Sequence, residues 1–222
     1  MIEKKNLTTK ETFNLAIRNH KQNNLQIAEN LYREILKANP NHFESIFYLG
    51  TLLLQTQRFD LAKPLLHKAV EIQPNIARAH NNLGVAYEKL GQSQKAMTSF
   101  QKAIQINSSY ADAHYNLGNI FNALNESQKA KDCFEKTIQI QPNNVDAHNN
   151  LGAVLKELNE HQKSISCYKK AIQIDPNYVN AYNNLGTILG ELNHINEAEK
   201  NFKKSLNLDP NKKKTCEGYG NV

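Results

Sequence analysis

Asparagine stands at positions 82, 116, 150 and 184, each 34 residues after the last. A carboxamide carries one acceptor oxygen and two donor hydrogens. It can therefore pair with both the N–H and the C=O of an extended peptide, whatever side chains that peptide carries. Packed helices lie about 10 Å apart, and an extended chain rises about 3.3 Å per residue. A row of amides on successive helices would thus meet a bound strand at every third residue. Asn82, Asn116, Asn150 and Asn184 are candidate backbone-binding residues. The competing reading is a solvated or locally bonded position in a chain rich in asparagine, which also stands at Asn143, Asn144, Asn193 and Asn196.

Two further series share this register. His80, His114 and His148 invite a metal hypothesis. Zinc needs ligand nitrogens about 2.0–2.1 Å from one ion, and side chains on helices about 10 Å apart do not easily share it. No metal or other cofactor is expected. Cys133 and Cys167 are also 34 residues apart. Equivalent helices are too distant for a disulfide, whose Cα atoms lie about 4.4–6.8 Å apart. With Cys216, three free thiols and a reducing compartment are expected. There is no glycine-rich phosphate loop, no Gly-x-Ser-x-Gly and no paired-acid motif, so the chain by itself reads as non-catalytic.

These residues are positioned by a repeat. Leu-Gly pairs recur at Leu49-Gly50, Leu83-Gly84, Leu117-Gly118, Leu151-Gly152 and Leu185-Gly186. Prolines 40, 74, 142, 176 and 210 keep the same register, with Ser108 in the one missing place. Counting Leu-Gly as places 7 and 8, the repeats run 9–42, 43–76, 77–110, 111–144, 145–178 and 179–212. Residues 1–8 form a lead-in. Residues 213–222, with Tyr219-Gly220 where the next Leu-Gly belongs, read as the start of a truncated seventh repeat.

Each repeat reads as two helices. Ala79, Leu83, Ala86 and Leu90 fall on one helical face, as do Ala147, Leu151, Val154 and Leu158. Gly91, Asn125, Asn159 or Asn193 stands at the bend, where a left-handed residue ends a helix. Ala96, Phe100, Ala103 and Ile104 mark the second helix, and proline closes the repeat. Gly84, Gly118, Gly152 and Gly186 sit mid-helix, at about 1 kcal/mol each relative to alanine. They are expected to mark a close approach of the partner helix, with Ala62, Ala96, Ala130 and Ala198 as the facing surface. Tyr32, Leu66, Phe100, Phe134, Tyr168 and Phe202 would fill the space between layers. Thr8 and Glu11 form a capping box for the first helix.

The pattern "HNNLGVAY…AMTSF", closed by proline and repeated through residues 9–212, resembles the tetratricopeptide repeat family. Histidine or tyrosine (His80, His114, His148, Tyr182) replaces the family's tryptophan at place 4. The resemblance implies an all-α, right-handed superhelical solenoid of stacked helix-turn-helix repeats, with the first helices lining a concave groove. Place 6 carries Asn14, Tyr48, Asn82, Asn116, Asn150 and Asn184. That row resembles the asparagine ladder in the tetratricopeptide region of protein O-linked N-acetylglucosamine transferases, where it holds the substrate chain. Those proteins also carry aspartate at place 2, here Glu44, Arg78, Asp112, Asp146 and Asn180. Asp112, Asp146 and Arg78 would tune side-chain choice. Tyr48, Tyr115, Asn149 and Asn183 complete the candidate peptide-binding set. No three consecutive repeats supply the family's carboxylate clamp. The implied function is a protein- or peptide-binding scaffold; the alternative is the substrate-recruiting region of a longer enzyme such as a glycosyltransferase.

The remaining numbers bound the class of partner. The chain has 222 residues, 40% of them hydrophobic, and a net charge of +6. No apolar run is long enough to span a membrane, and the start "MIEKKNLTTK" lacks a signal-peptide core. A cytoplasmic location is expected. Lys68, Lys102, Lys136, Lys170 and Lys204 form a basic row on the second helices, read chiefly as a solvated outer face. Without regular stacking groups beside the place-6 residues, nucleic acid is not the expected partner and no small-molecule substrate is implied. Solenoids need a polar terminal cap, so the face of 179–212 is expected to self-associate.

Overall fold

The structure, a computed structural model, describes residues 7–210. Segment 213–222 and Cys216 lie outside the described residues. Among those described there are twelve α-helices and no strand. The first helices of the pairs are α1 (Thr9–Lys21), α3 (Phe43–Gln55), α5 (Ala77–Lys89), α7 (Ala111–Ala123), α9 (Val145–Glu157) and α11 (Val179–Glu191). The second helices are α2 (Leu25–Ala38), α4 (Phe59–Ile72), α6 (Ser93–Ile106), α8 (Ser127–Ile140), α10 (His161–Ile174) and α12 (Ile195–Leu208). No helix among the described residues is long and apolar enough to cross a membrane.

The chain forms two compact units, Met1–Ala113 and His114–Val222. In the first, each helix from α1 to α6 packs on the next, and α3 also touches α5 directly. In the second, the same succession runs from α8 to α12, and α9 touches α11. The neighbouring first helices α3 and α5, and α9 and α11, therefore lie side by side.

Local chemistry sets the helix ends. Thr8 accepts from the Glu11 N–H, and the Glu11 carboxylate accepts from the Thr8 N–H at 2.9 Å, the reciprocal cap expected at α1. Asn144 caps α9 by accepting from the Ala147 N–H at 2.9 Å. The bend within every pair contains one left-handed residue: Asn23, Gln57, Gly91, Asn125, Asn159 and Asn193, with φ between 57° and 70°. Asparagine and glycine tolerate that conformation; glutamine at position 57 is the exception the sequence did not announce.

The glycines mark close approach, but the facing group differs from the alanines expected. A Cβ on Gly84 would lie 2.5 Å from the Phe100 ring, and one on Gly152 would lie 2.6 Å from the Tyr168 ring. Gly118 and Gly186 meet Phe134 and Phe202 in the same way, and Gly50 meets Leu66. The large residue of the second helix thus seats against the bare backbone of the first helix in its own repeat. Ala62, Ala96, Ala130 and Ala198 are buried but are not what a side chain at these glycines would strike.

The register-locked histidines also have a structural role. Nε2 of His80 lies 2.8 Å from the Pro74 carbonyl, and Nε2 of His148 lies 2.9 Å from that of Pro142. A carbonyl only accepts, so both rings carry the proton on Nε2. The Tyr182 hydroxyl donates to Pro176 in the same position at 3.2 Å. Place 4 thereby ties α5, α9 and α11 to the loops before them. Among the described residues, no cluster of histidine, cysteine, aspartate and glutamate could hold a metal ion.

Candidate functional site

The candidate residues occupy the face of the first helices, where place 6 looks toward the preceding repeat. In the first unit, Asn82 on α5 donates from Nδ2 to Oγ1 of Thr51 on α3, 2.9 Å away. In the second, Asn150 on α9 donates from Nδ2 to Oδ1 of Asn119 at 3.0 Å and to the Tyr115 hydroxyl at 3.2 Å. Asn150 also accepts from Nδ2 of Asn149 at 3.2 Å. Asn184 on α11 donates to Oδ1 of Asn149 at 3.0 Å.

These bonds follow a rule. Where place 9 of the preceding repeat is polar, as at Thr51 and Asn119, the place-6 amide bonds it. Before Asn184, place 9 is Ala153, and the amide turns to place 5, Asn149. Asn149 is buried, whereas Asn82, Asn150 and Asn184 are half-buried with an edge to solvent. Each Nδ2 has two hydrogens. Asn82 and Asn184 each commit one to the neighbour, while Asn150 commits both. Asn116, on α7, and Asn183, on α11, are half-buried on the same helices.

Tyr48, the one place-6 residue that is not asparagine, behaves differently. Its ring stacks on Tyr32, with centroids 6.3 Å apart and planes at 17°. It meets Phe13 and Phe47 edge-on at 5.8 and 5.4 Å. Arg78, at place 2, sets its guanidinium 5.5 Å from the Phe47 centroid, a cation–π geometry. The first unit therefore offers an aromatic and cationic surface near α1 and α3, and an amide at α5.

Place 2 of the second unit is tied to a tyrosine at place 34. The Tyr178 hydroxyl donates to the Asp146 carboxylate at 2.6 Å. Burial, then the bond to this carboxylate, pushes the Tyr178 hydroxyl up to about 12. In the first unit, burial and then the Asp112 charge push Tyr110 up, while Arg78 pulls it down. Asp112, Asp146 and Arg78 are all exposed.

Thr51, Asn119 and Tyr178 take part in this face and were not among the residues expected from sequence. Polar residues at place 9 of a first helix are the signal that could have found two of them. The outer lysines are held locally. Lys102, Lys136 and Lys170 donate to Gln105, Gln139 and Gln173, three residues on, and Lys68 donates to the Pro40 carbonyl.

Models of the tetratricopeptide repeat match residues 77–110, 111–144 and 145–178, residues 167–200, and residues 20–83. No curated protein sequence matches the chain. Among solved structures, one of MamA is 30% identical and has a TM-score of 0.67, with 75% of this chain and 97% of that chain covered. YrrB, described as a tetratricopeptide protein with an unusual peptide-binding site, is 18% identical over 84% of this chain and 96% of its own, with a TM-score of 0.70. PilF of Pseudomonas aeruginosa is 17% identical over 95% of this chain and 96% of its own, with a TM-score of 0.82. The fold is an all-α solenoid of stacked helix-turn-helix repeats, and the chain belongs to the tetratricopeptide repeat family.

Proposed function

We propose that this protein is a non-catalytic scaffold that holds an extended protein or peptide segment along the face of its first helices. The observation that carries this reading is the place-6 amide row, fixed in orientation by its own hydrogen bonds. A donor or acceptor already held in place loses little freedom when a ligand arrives. Asn82 and Asn184 keep a donor hydrogen for a peptide carbonyl, and Asn150 and Asn149 act as the keystone that holds the row. Asn116 and Asn183 extend it, and Asp112, Asp146 and Arg78 select side chains at its edge. Tyr48 and Tyr115 add ring surface. The fold relation to YrrB agrees with peptide binding.

The test is a quantitative pull-down from lysate. It compares the natural chain with Asn82→Ala/Asn116→Ala/Asn150→Ala/Asn184→Ala, after circular dichroism has confirmed that helicity is kept. Loss of the captured proteins supports the reading. Undiminished capture moves the interface off this face.

The same amide row supports a second reading, substrate recruitment for a larger glycosyltransferase, given its resemblance to the ladder of the O-linked N-acetylglucosamine transferases. The intact mass of the protein isolated from cells, matching that of the chain alone, would rule it out. Two free, half-buried thiols, Cys133 and Cys167, support action in a reducing compartment such as the cytoplasm.

A further inference from the structure

A groove of about 770 Å³ opens between α10 and α12, with α11 contributing to its wall. Lys169 reaches it from α10, and Lys200, Lys203 and Lys204 from α12. Ile172 supplies apolar surface, and Leu185, 4% exposed, lies at the base beneath it. Glu197 is the one acid on the lining. Lys203 is paired with Glu199. Among the described residues, no carboxylate pairs with Lys169, Lys200 or Lys204.

Lys204 belongs to the lysine row that recurs through the repeats, but Lys169 and Lys200 are additions at this groove. Place 25 is Lys169 on α10 but Glu135 on α8. The Glu135 charge is felt by the Cys167 thiol on α10, which burial and then that charge push up to about 11. Place 22 is Lys200 on α12 but Ser166 on α10. The preceding pair of second helices thus carries an acid and a hydroxyl where this pair carries two cations.

We propose that this groove binds an acidic peptide segment bearing an apolar side chain. Its carboxylates face Lys169, Lys200 and Lys204, and its apolar side chain rests on Ile172, above Leu185. Unpaired lysines around a low-dielectric floor focus a positive potential and speed the arrival of an anionic partner. The apolar floor distinguishes a peptide from nucleic acid, because a polyanionic backbone has nothing to place on Ile172. Tyr182, the one ring on the lining, has its hydroxyl engaged by the Pro176 carbonyl. The groove is also separate from the amide row, because Asn184 points from α11 toward Asn149 on α9.

The test uses the full chain and a pool of fluorescent eight-residue peptides, rich in glutamate with one central leucine or isoleucine. Matched pools carry glutamine for glutamate, or alanine for the apolar residue. An oligothymidylate of similar charge is the nucleic-acid probe. The acidic apolar pool is expected to bind the natural chain, and Lys169→Glu/Lys200→Glu/Lys204→Glu to weaken it about tenfold or more, as loss of complementary charges does. Ile172→Ser should weaken it several-fold, with melting temperature as the folding control. Lys102→Glu, on α6 and outside both sites, should leave it unchanged. The glutamine pool reports any backbone binding at the amide row, so the excess of the acidic pool over it belongs to the groove. Three results overturn the proposal: equal binding of the acidic and glutamine pools, an excess of acidic over glutamine binding that survives charge reversal, or tighter binding of oligothymidylate. A concentration-dependent dimer that competes with the pool and is lost on charge reversal would instead assign the groove to a second copy.

Discussion

Asn184 on α11 donates its amide to Oδ1 of Asn149 on α9, 3.0 Å away and 35 residues earlier in the chain. Asn149 in turn donates to Asn150, which donates to Asn119 and Tyr115. Side-chain bonds of this kind are worth about 1 kcal/mol net, but a buried partner left unsatisfied raises the loss to about 1–3 kcal/mol. Asn150→Ala should therefore destabilise the chain more than Asn82→Ala, which leaves the half-buried Thr51 hydroxyl still donating to the Phe47 carbonyl at 2.8 Å. Urea denaturation of the two variants checks the order; equal midpoints would contradict the network.

The seat of Tyr168 on Gly152 predicts a strong and reversible defect. Gly152→Ala brings a methyl to 2.6 Å from the ring, and overpacking of this sort costs about 1–3 kcal/mol. Trimming the ring should recover part of the loss. Gly152→Ala/Tyr168→Leu is expected to be more stable than the sum of the single changes, as contacting residues are. A double-mutant cycle in urea that shows additivity would refute the contact.

Gln57 holds φ 57° at a bend where four other repeats use asparagine and one uses glycine. An ordinary side chain there costs about 1–2 kcal/mol, against about 0.5–1 kcal/mol for the added freedom of glycine when unfolded. Gln57→Gly should stabilise the chain slightly, and Asn159→Ala should destabilise it. Thermal melts of both variants, moving in opposite directions, are the expected result.

Acid should unfold the first unit partly through Glu29. Its carboxylate, 7% exposed, meets Arg58 at 2.5 Å and Arg33 at 2.8 Å. The bond from Arg58 holds it below the usual carboxylate range against the pull of burial. A depressed carboxylate stabilises the fold above its unfolded value of about 4.3. That contribution is lost as pH falls through the lower folded value. Glu29→Gln should be less stable at neutral pH and show a shallower loss between about pH 5 and pH 3. Urea midpoints across that range would show it.

Cys133 and Cys167 should react slowly. Burial raises both thiols to about 11, so little thiolate exists at neutral pH. Peptide mapping after brief iodoacetamide treatment of the folded protein should find both unmodified, and both labelled in urea. Rapid labelling of either in the native state would contradict the burial.

The architecture was legible because its signals are repeated. Leu-Gly, the bend asparagines and proline each recur in register, so an error at one position is corrected by three or four others. Thr8 and Glu11 were readable because a capping box is local. What escaped was relational. The glycine flagged close approach, but which residue filled the gap depended on helix rotation, and it was Phe100 or Tyr168 and not the alanine one turn earlier. The histidines at place 4 read as aromatic filler, since nothing in the sequence reveals a proline carbonyl six residues back aimed at Nε2. The asparagine row was visible as chemistry, but its bonds to Thr51, Asn119 and Asn149 depend on what neighbouring repeats hold at places 5 and 9.

The ring-on-glycine contact lies wholly inside one repeat, while the amide and histidine contacts join a repeat to what precedes it. In a linear array, stability is a sum of intrinsic terms and nearest-neighbour couplings. Nature has thus written the two parameters of a one-dimensional Ising chain onto different residues. Changing Gly186 alters how well the α11–α12 pair folds by itself; changing Asn184 alters how strongly that pair is obliged to fold when its neighbour does. Cooperativity in this molecule is therefore adjustable separately from stability, and an array with weakened couplings would melt from its end as a fraying zipper instead of as one body.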